Sequence, residues 1–210
     1  MSAAPAFAAP AFAAARTRRP AVVAVVAAAL LLVAAPTPGR AADDDAKKAT
    51  SPAKPPADPW KPLRFFVGSW TGTGKGEPGE STVKREYRFI LGDRFLEAVN
   101  QSTYLPQEKN PKGEVHEDRG IFSWDRARRR FVLRQFHVEG FVNEYVADSV
   151  AAGAEWLVFT TESVENIPPG FRARETYRIL GPDEFVERFE IAEPGKEFAL
   201  YSETVLRRVK

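Results

Sequence analysis

The sequence predicts an all-β domain, a ten-stranded antiparallel up-and-down barrel behind an N-terminal signal segment and a flexible linker. Three observations carry this. Almost every segment after Gly68 alternates apolar and polar residues with period two, as a strand with one buried face does. About ten such segments follow one another, joined mostly by short turns, which implies antiparallel pairing between sequence neighbours. A meander of that length has two edges to hide, and closing it into a ring hides both. A sandwich is the competing architecture.

A short helical turn over Trp60–Phe66 leads into a first strand, Ser69–Lys75. The second, Thr82–Leu91, places Val83, Tyr87, Phe89 and Leu91 on one face and Lys84, Glu86 and Arg88 on the other. Gly92-Asp93 turns the chain into Arg94–Tyr104, and His116–Trp124 follows a polar loop. A turn through Asp125–Arg129 leads to Phe131–Val138; a tight turn at Glu139-Gly140 leads to Phe141–Asp148. Glu155–Glu162 is the next strand. Phe171–Leu180 and Glu184–Ala192 form a hairpin about Gly181-Pro182-Asp183, and Pro194-Gly195-Lys196 leads into Glu197–Arg207.

The N-terminal part has a different composition. Residues 1–41 hold no acid and four arginines, and Ala21–Ala35 is an unbroken apolar run behind Arg16, Arg18 and Arg19. With the small residues Gly39 and Ala41, this predicts a signal peptide over 1–41, cleaved near Ala41, and a periplasmic or secreted product. Fifteen apolar residues are short of the ~20 that span a bilayer, so an uncleaved anchor is the second reading and the only membrane contact expected. Residues 42–59, rich in Pro, Ala, Lys and Asp, predict a flexible linker, and the barrel is expected over 60–208.

Composition excludes several functions. The chain has no cysteine, so disulfides, thiol nucleophiles and cysteine-ligated metals are out. It has two histidines, His116 and His137; a multi-histidine metal site would need both, and no metal is expected. Beyond residue 41 there are 26 basic and 28 acidic residues, which gives no electrostatic case for nucleic acid. Gly72-Thr73-Gly74-Lys75-Gly76 lacks the glycine spacing and the Ser/Thr of a phosphate loop, and no nucleophile elbow occurs. The sequence points to no catalytic residue, and a binding protein is expected before an enzyme, whose activity would require a bound cofactor.

Three motifs add a family resemblance. Gly68, Trp70, Gly72, Gly74 and Gly76 follow a short helical turn; His116-Glu117-Asp118-Arg119-Gly120-Ile121 comes next; Phe136-His137-Val138-Glu139-Gly140 follows, with Glu144 nearby. In that order they resemble the nitrobindin-like barrels of the calycin group, relatives of fatty-acid-binding proteins and lipocalins. The resemblance implies a ten-stranded barrel and a heme b in its mouth, held by one histidine of the last strand. It also implies peroxynitrite isomerisation where heme is bound. In this chain Tyr201 stands at the ligand position. Strand parity points Tyr201 outward unless a bulge intervenes.

Tyr201, His137 and His116 are the candidate heme ligands. If Glu139-Gly140 is a two-residue turn, His137 points outward, and Arg134 and Asn143 point inward. Glu175, Tyr177 and Glu187 are also expected inward, with Arg134 able to pair with a glutamate or with a ligand carboxylate. The expected partner is a small hydrophobic or amphipathic molecule: heme, or a fatty acid anchored through Arg134. A filled structural barrel is the remaining alternative. Trp70, Gly68, Gly72 and Arg207 are read as structural. Trp70 is expected to close one barrel end under a stacked Arg207 or Arg208.

Overall fold

The computed structural model describes residues 58–148 and 155–210; the expected signal peptide and nearly all of the expected linker lie outside them. A 3₁₀ turn, Arg64–Phe66, precedes ten strands. They are β1 (Gly68–Gly76), β2 (Gly79–Ile90), β3 (Phe95–Tyr104), β4 (Glu114–Asp125) and β5 (Arg130–His137). β6 (Val142–Ala147), β7 (Trp156–Glu165), β8 (Arg172–Gly181), β9 (Glu184–Ala192) and β10 (Ala199–Arg208) complete the set. Each strand pairs antiparallel with its sequence neighbours, and β1 also pairs β10, from Trp70↔Arg208 to Gly76↔Ser202, so the barrel is closed. Among the described residues no helix is long and apolar enough to cross a membrane.

One end is plugged by rings. Trp60, Leu63 and Phe66, from the segment before β1, are buried with Trp70, Tyr177, Phe159 and Phe185. Phe185 meets Trp70 at 4.8 Å and Phe66 at 5.0 Å between centroids, both edge-on. Trp70 Nε1 donates to the Phe66 carbonyl at 2.6 Å, so its polar atom is satisfied where it is buried. The guanidinium of Arg208 lies 4.2 Å over the Trp70 ring and donates to the carbonyls of Val67 and Phe65, each at 2.7 Å. The structure thus chooses Arg208 for this place. Arg207 points outward and pairs with Glu184 at 2.7 Å, which corrects the structural role expected of it. Alternation explains the choice, since Leu206 and Arg208 share the parity that reaches the closed end. Gly72 lets β1 approach β10: a Cβ there would stand 2.0 Å from the Val205 carbonyl oxygen. Gly68 takes φ of 119°, a conformation costly for any residue with a Cβ.

The β5–β6 hairpin differs from expectation. His137 N bonds Phe141 O at 3.2 Å, and Gln135 opposes Asn143. The loop is therefore Val138-Glu139-Gly140, three residues with Gly140 at φ 89°, and not a two-residue turn. The added residue shifts the pairing by one and reverses the face of β5. Leu133, Gln135 and His137 point inward; Arg134 is exposed and paired with Glu144 at 3.2 Å. The inward placements of Asn143, Glu175, Tyr177 and Glu187 match their burial.

Candidate functional site: the polar interior and open mouth

Away from the ring plug, the barrel interior is crossed by polar side chains. Arg85, on β2 between inward Val83 and Tyr87, takes the interior place that sequence reading gave to Arg134. It forms a two-pronged pair with Glu187 at 2.6 and 2.8 Å and donates through Nε to Asn100 Oδ1 at 2.9 Å. Both charged side chains are nearly sealed from solvent, at 8% and 11% exposure, so each depends on the other. Nearby Glu175 accepts from the Tyr177 hydroxyl. Burial, with the negative charge of Glu187 added, pushes the Glu175 carboxyl up to about 8. The two inward glutamates thus differ in setting: Glu187 is paired with Arg85, whereas Glu175 keeps its proton at neutral pH.

The network continues toward the open end. Asn100 donates to Asp118 Oδ2 at 2.7 Å, and Gln135 donates to Asp118 Oδ1 at 3.1 Å. Asp118 sits directly opposite His137 in the β4–β5 ladder, and His116 lies two residues before Asp118 on the same face of β4. His116 Nε2 is 3.5 Å from Asp118 Oδ2, and its Nδ1 is 2.9 Å from Glu139 Oε1 in the hairpin loop. Burial disfavours the His116 cation, but the Asp118 and Glu139 carboxylates outweigh it and raise the ring to about 10. Asp118 shows the reverse balance: burial pushes it up, and the His116 hydrogen bond and the Arg85 charge bring it down to about 2. Burial lowers His137 to about 4, so it is neutral. Its ring stacks on Phe141 at 3.9 Å, and Asn143 Nδ2 lies 3.3 Å from its Nε2. Two buried polar atoms here lack partners, Gln135 Oε1 and His137 Nδ1.

The structure brings two of the candidate ligands, His116 and His137, to 5.6 Å between ring centroids. The outward orientation expected of His137 is corrected by the hairpin register. Tyr201 lies at a break in the β9–β10 ladder between Leu200 and Ser202, the bulge that parity alone cannot show. Its ring stands edge-on to Phe189 at 5.7 Å, and burial raises its phenol to about 12. Sequence reading missed Arg85, Asn100, Asp118 and Gln135 as interior groups. Arg85 shares the parity of Val83 and Tyr87, a signal that was present; Gln135 and Asp118 follow once the loop length is known.

Free space is unevenly placed. An interior space of about 10 Å³, the size of one water, touches Arg85, Tyr87, Asp118, Gln135, Tyr177 and Glu187. A broad concavity of about 890 Å³ crosses β1–β5, bordered by outward residues such as Lys84, Glu86, Gln101, Glu117, Arg119 and Phe136.

No family model and no curated protein matches the chain. Among solved structures, the crystal structure of Rv2717c from M. tuberculosis is similar, with TM-score 0.57 and 22% identity over 73% of this chain and 99% of that one. This likeness bears on the fold, and it agrees with the barrel. A de novo designed fluorescence-activating β-barrel aligns at TM-score 0.38 and 14% identity, over 70% of this chain and 95% of that one. A redesigned barrel, mFAP1, bound to DFHBI aligns at 0.39 and 12%, over 70% and 99%.

Proposed function

We propose that this chain is an exported binding protein that receives a small ligand at the open mouth of its barrel. The observation that carries the reading is the pair of buried, unpartnered polar atoms, Gln135 Oε1 and His137 Nδ1, beside Asp118. Buried polar groups are rarely left unpaired, and a ligand group is one way to pair them. Phe141, Phe189 and Tyr201 supply apolar contact near the same end. An anionic ligand held by Arg134 is not part of the proposal, because Arg134 faces solvent and the interior guanidinium of Arg85 is already paired.

Heme b, which the sequence resemblance implies, does not fit the lumen as it stands. Ligand pockets run to hundreds of cubic ångströms, and the interior space is about 10 Å³. Of the three candidate ligands, the Tyr201 phenol holds its proton strongly. The small interior space favours a second reading, a filled barrel that acts through its surface.

Two probes test these readings on the purified chain: hemin, followed by visible absorption, and the dye anilinonaphthalene sulfonate, followed by fluorescence. Saturable one-to-one binding of the dye that Gln135→Leu or His137→Ala weakens supports a mouth site for an apolar ligand. A stoichiometric Soret band lost in His137→Ala, His116→Ala or Tyr201→Phe would identify an iron-porphyrin site instead. If neither probe saturates, the filled barrel stands. N-terminal sequencing of the product released by a secreting host tests cleavage after Ala41.

A further inference from the structure

We propose that His116, Asp118 and His137 form a binding site for one divalent first-row transition ion, with zinc the ion that two imidazoles and a carboxylate suit. The proposal goes beyond the small-ligand reading and does not depend on it. Its basis is placement. His116 and Asp118 share one face of β4, and His137 is the ladder partner of Asp118 on β5, so a continuous antiparallel pair fixes all three backbones. Each offers one ligand atom, and these atoms lie within 4.8 Å of one another. Tetrahedral zinc with bonds of about 2.0–2.2 Å holds its ligands about 3.4 Å apart. Side-chain movements on the order of 1 Å therefore close the site. His116 Nε2 and Asp118 Oδ2 are already 3.5 Å apart.

The surroundings are those of a metal centre one layer out. The loop residue Glu139 accepts from His116 Nδ1 at 2.9 Å, which leaves Nε2 to face Asp118 and the ion. Asn100 and Gln135 hold the two oxygens of Asp118, so the carboxylate is aimed before any ion arrives. His137 Nδ1 is buried without a partner. A flip of the Asn143 amide would place its carbonyl on Nε2–H and leave Nδ1 a free lone pair, an arrangement that heavy-atom positions allow. Three protein ligands leave one position open, and the 24% exposure of His116 shows where it reaches solvent. The competing account is that the cluster is complete as an ion pair, with the His116 cation shared between Asp118 and Glu139. That account leaves His137 Nδ1 unexplained.

The test uses the full chain freed of metal by a chelator. It is titrated with zinc chloride by calorimetry and with cobalt(II) by visible absorption, and no organic ligand is present. The outcome is thus separate from that of the dye and hemin experiments. One saturable equivalent is expected. The ring resonances of His116 and His137, the chain's two histidines, are expected to move together at that equivalence point. Glu139→Gln lowers zinc affinity by about 10–100-fold through loss of His116 orientation. Asp118→Asn and His137→Ala lower it further, and Glu117→Gln, an outward neighbour, leaves it unchanged. Absence of saturable uptake, or movement of one ring alone, overturns the proposal, as does uptake that a folded His137→Ala retains. If a variant fails to fold, the ring resonances of the unmodified chain decide.

Discussion

At the closed end, Trp70, Phe66 and Phe185 bury their rings against one another, and the polar atoms present are paired; at the open end, His116, Asp118, His137 and Gln135 are brought inside a barrel with part of their bonding capacity unused. Different strands of one barrel serve the two ends: β1 and β9 bring Trp70 and Phe185 to one, and β4 and β5 bring His116, Asp118, Gln135 and His137 to the other. The difference teaches how a short-turn meander divides its labour. Apolar burial supplies stability where the ring of strands is sealed, and groups that are costly to bury are kept near the mouth, where solvent or a ligand can meet them. Between them, Arg85 and Glu187 are sealed from water and tolerable only as a pair.

The comparison breaks if the two ends respond alike to substitution. Trp70→Ala removes the largest buried ring of the plug and is expected to cost about 3–5 kcal/mol in denaturant unfolding. A loss below about 1 kcal/mol would show that the closed end is not the stabilising one. Arg85→Met strands Glu187 without its cation, at about 3–5 kcal/mol, and Arg85→Met/Glu187→Leu recovers most of that loss. A double variant as unstable as the single would mean that Arg85 acts through Asn100 instead.

The protonated Glu175 gives the next effect, and its sign is opposite to that of a paired carboxylate. The folded state keeps a proton up to about pH 8, whereas the unfolded chain releases it near the ordinary glutamate value of 4.5. Between these limits the folded state binds more protons, so stability falls as pH rises through the window. Glu175→Gln is expected to flatten the profile. The difference between the two profiles separates this carboxyl from the histidines, which titrate in both proteins. The smallest effects compare neighbours on β10. Arg208→Ala loses two carbonyl contacts and the Trp70 stack and costs about 1–3 kcal/mol. Arg207→Ala removes one exposed ion pair and stays within about 0.5 kcal/mol.

The fold was legible because its signals are local. Turn residues such as Gly92-Asp93 and Gly181-Pro182-Asp183 separate strands of clear alternation, and each strand finds its partner next in sequence. The site was legible only in part, because facing depends on counting. Phe131, Val132 and Leu133 are all buried, so β5 carries no parity of its own, and the exposed Phe136 and Val138 imitate an inward face. One extra loop residue then exchanges Arg134 for His137 as the inward group. Tyr201 fails for the same reason at its bulge, where backbone geometry and not composition decides the direction. Asp118 was visible in a motif, but its role needed the ladder that sets it opposite His137.

The seam between β1 and β10 has a consequence for the order of events in synthesis. Trp70 pairs with Arg208, and Phe65 and Val67 offer their carbonyls to the same arginine, more than 135 residues later in the chain. Eight of the nine neighbouring hairpins can zip as they emerge, yet β1 has one bare edge and Trp70 has no covering cation until β10 is made. Closure of the barrel by this contact of longest range is therefore expected to come last. A chain interrupted before Ala199 presents that bare edge to other chains, which makes the nascent protein a customer for whatever holds unfinished sheets apart.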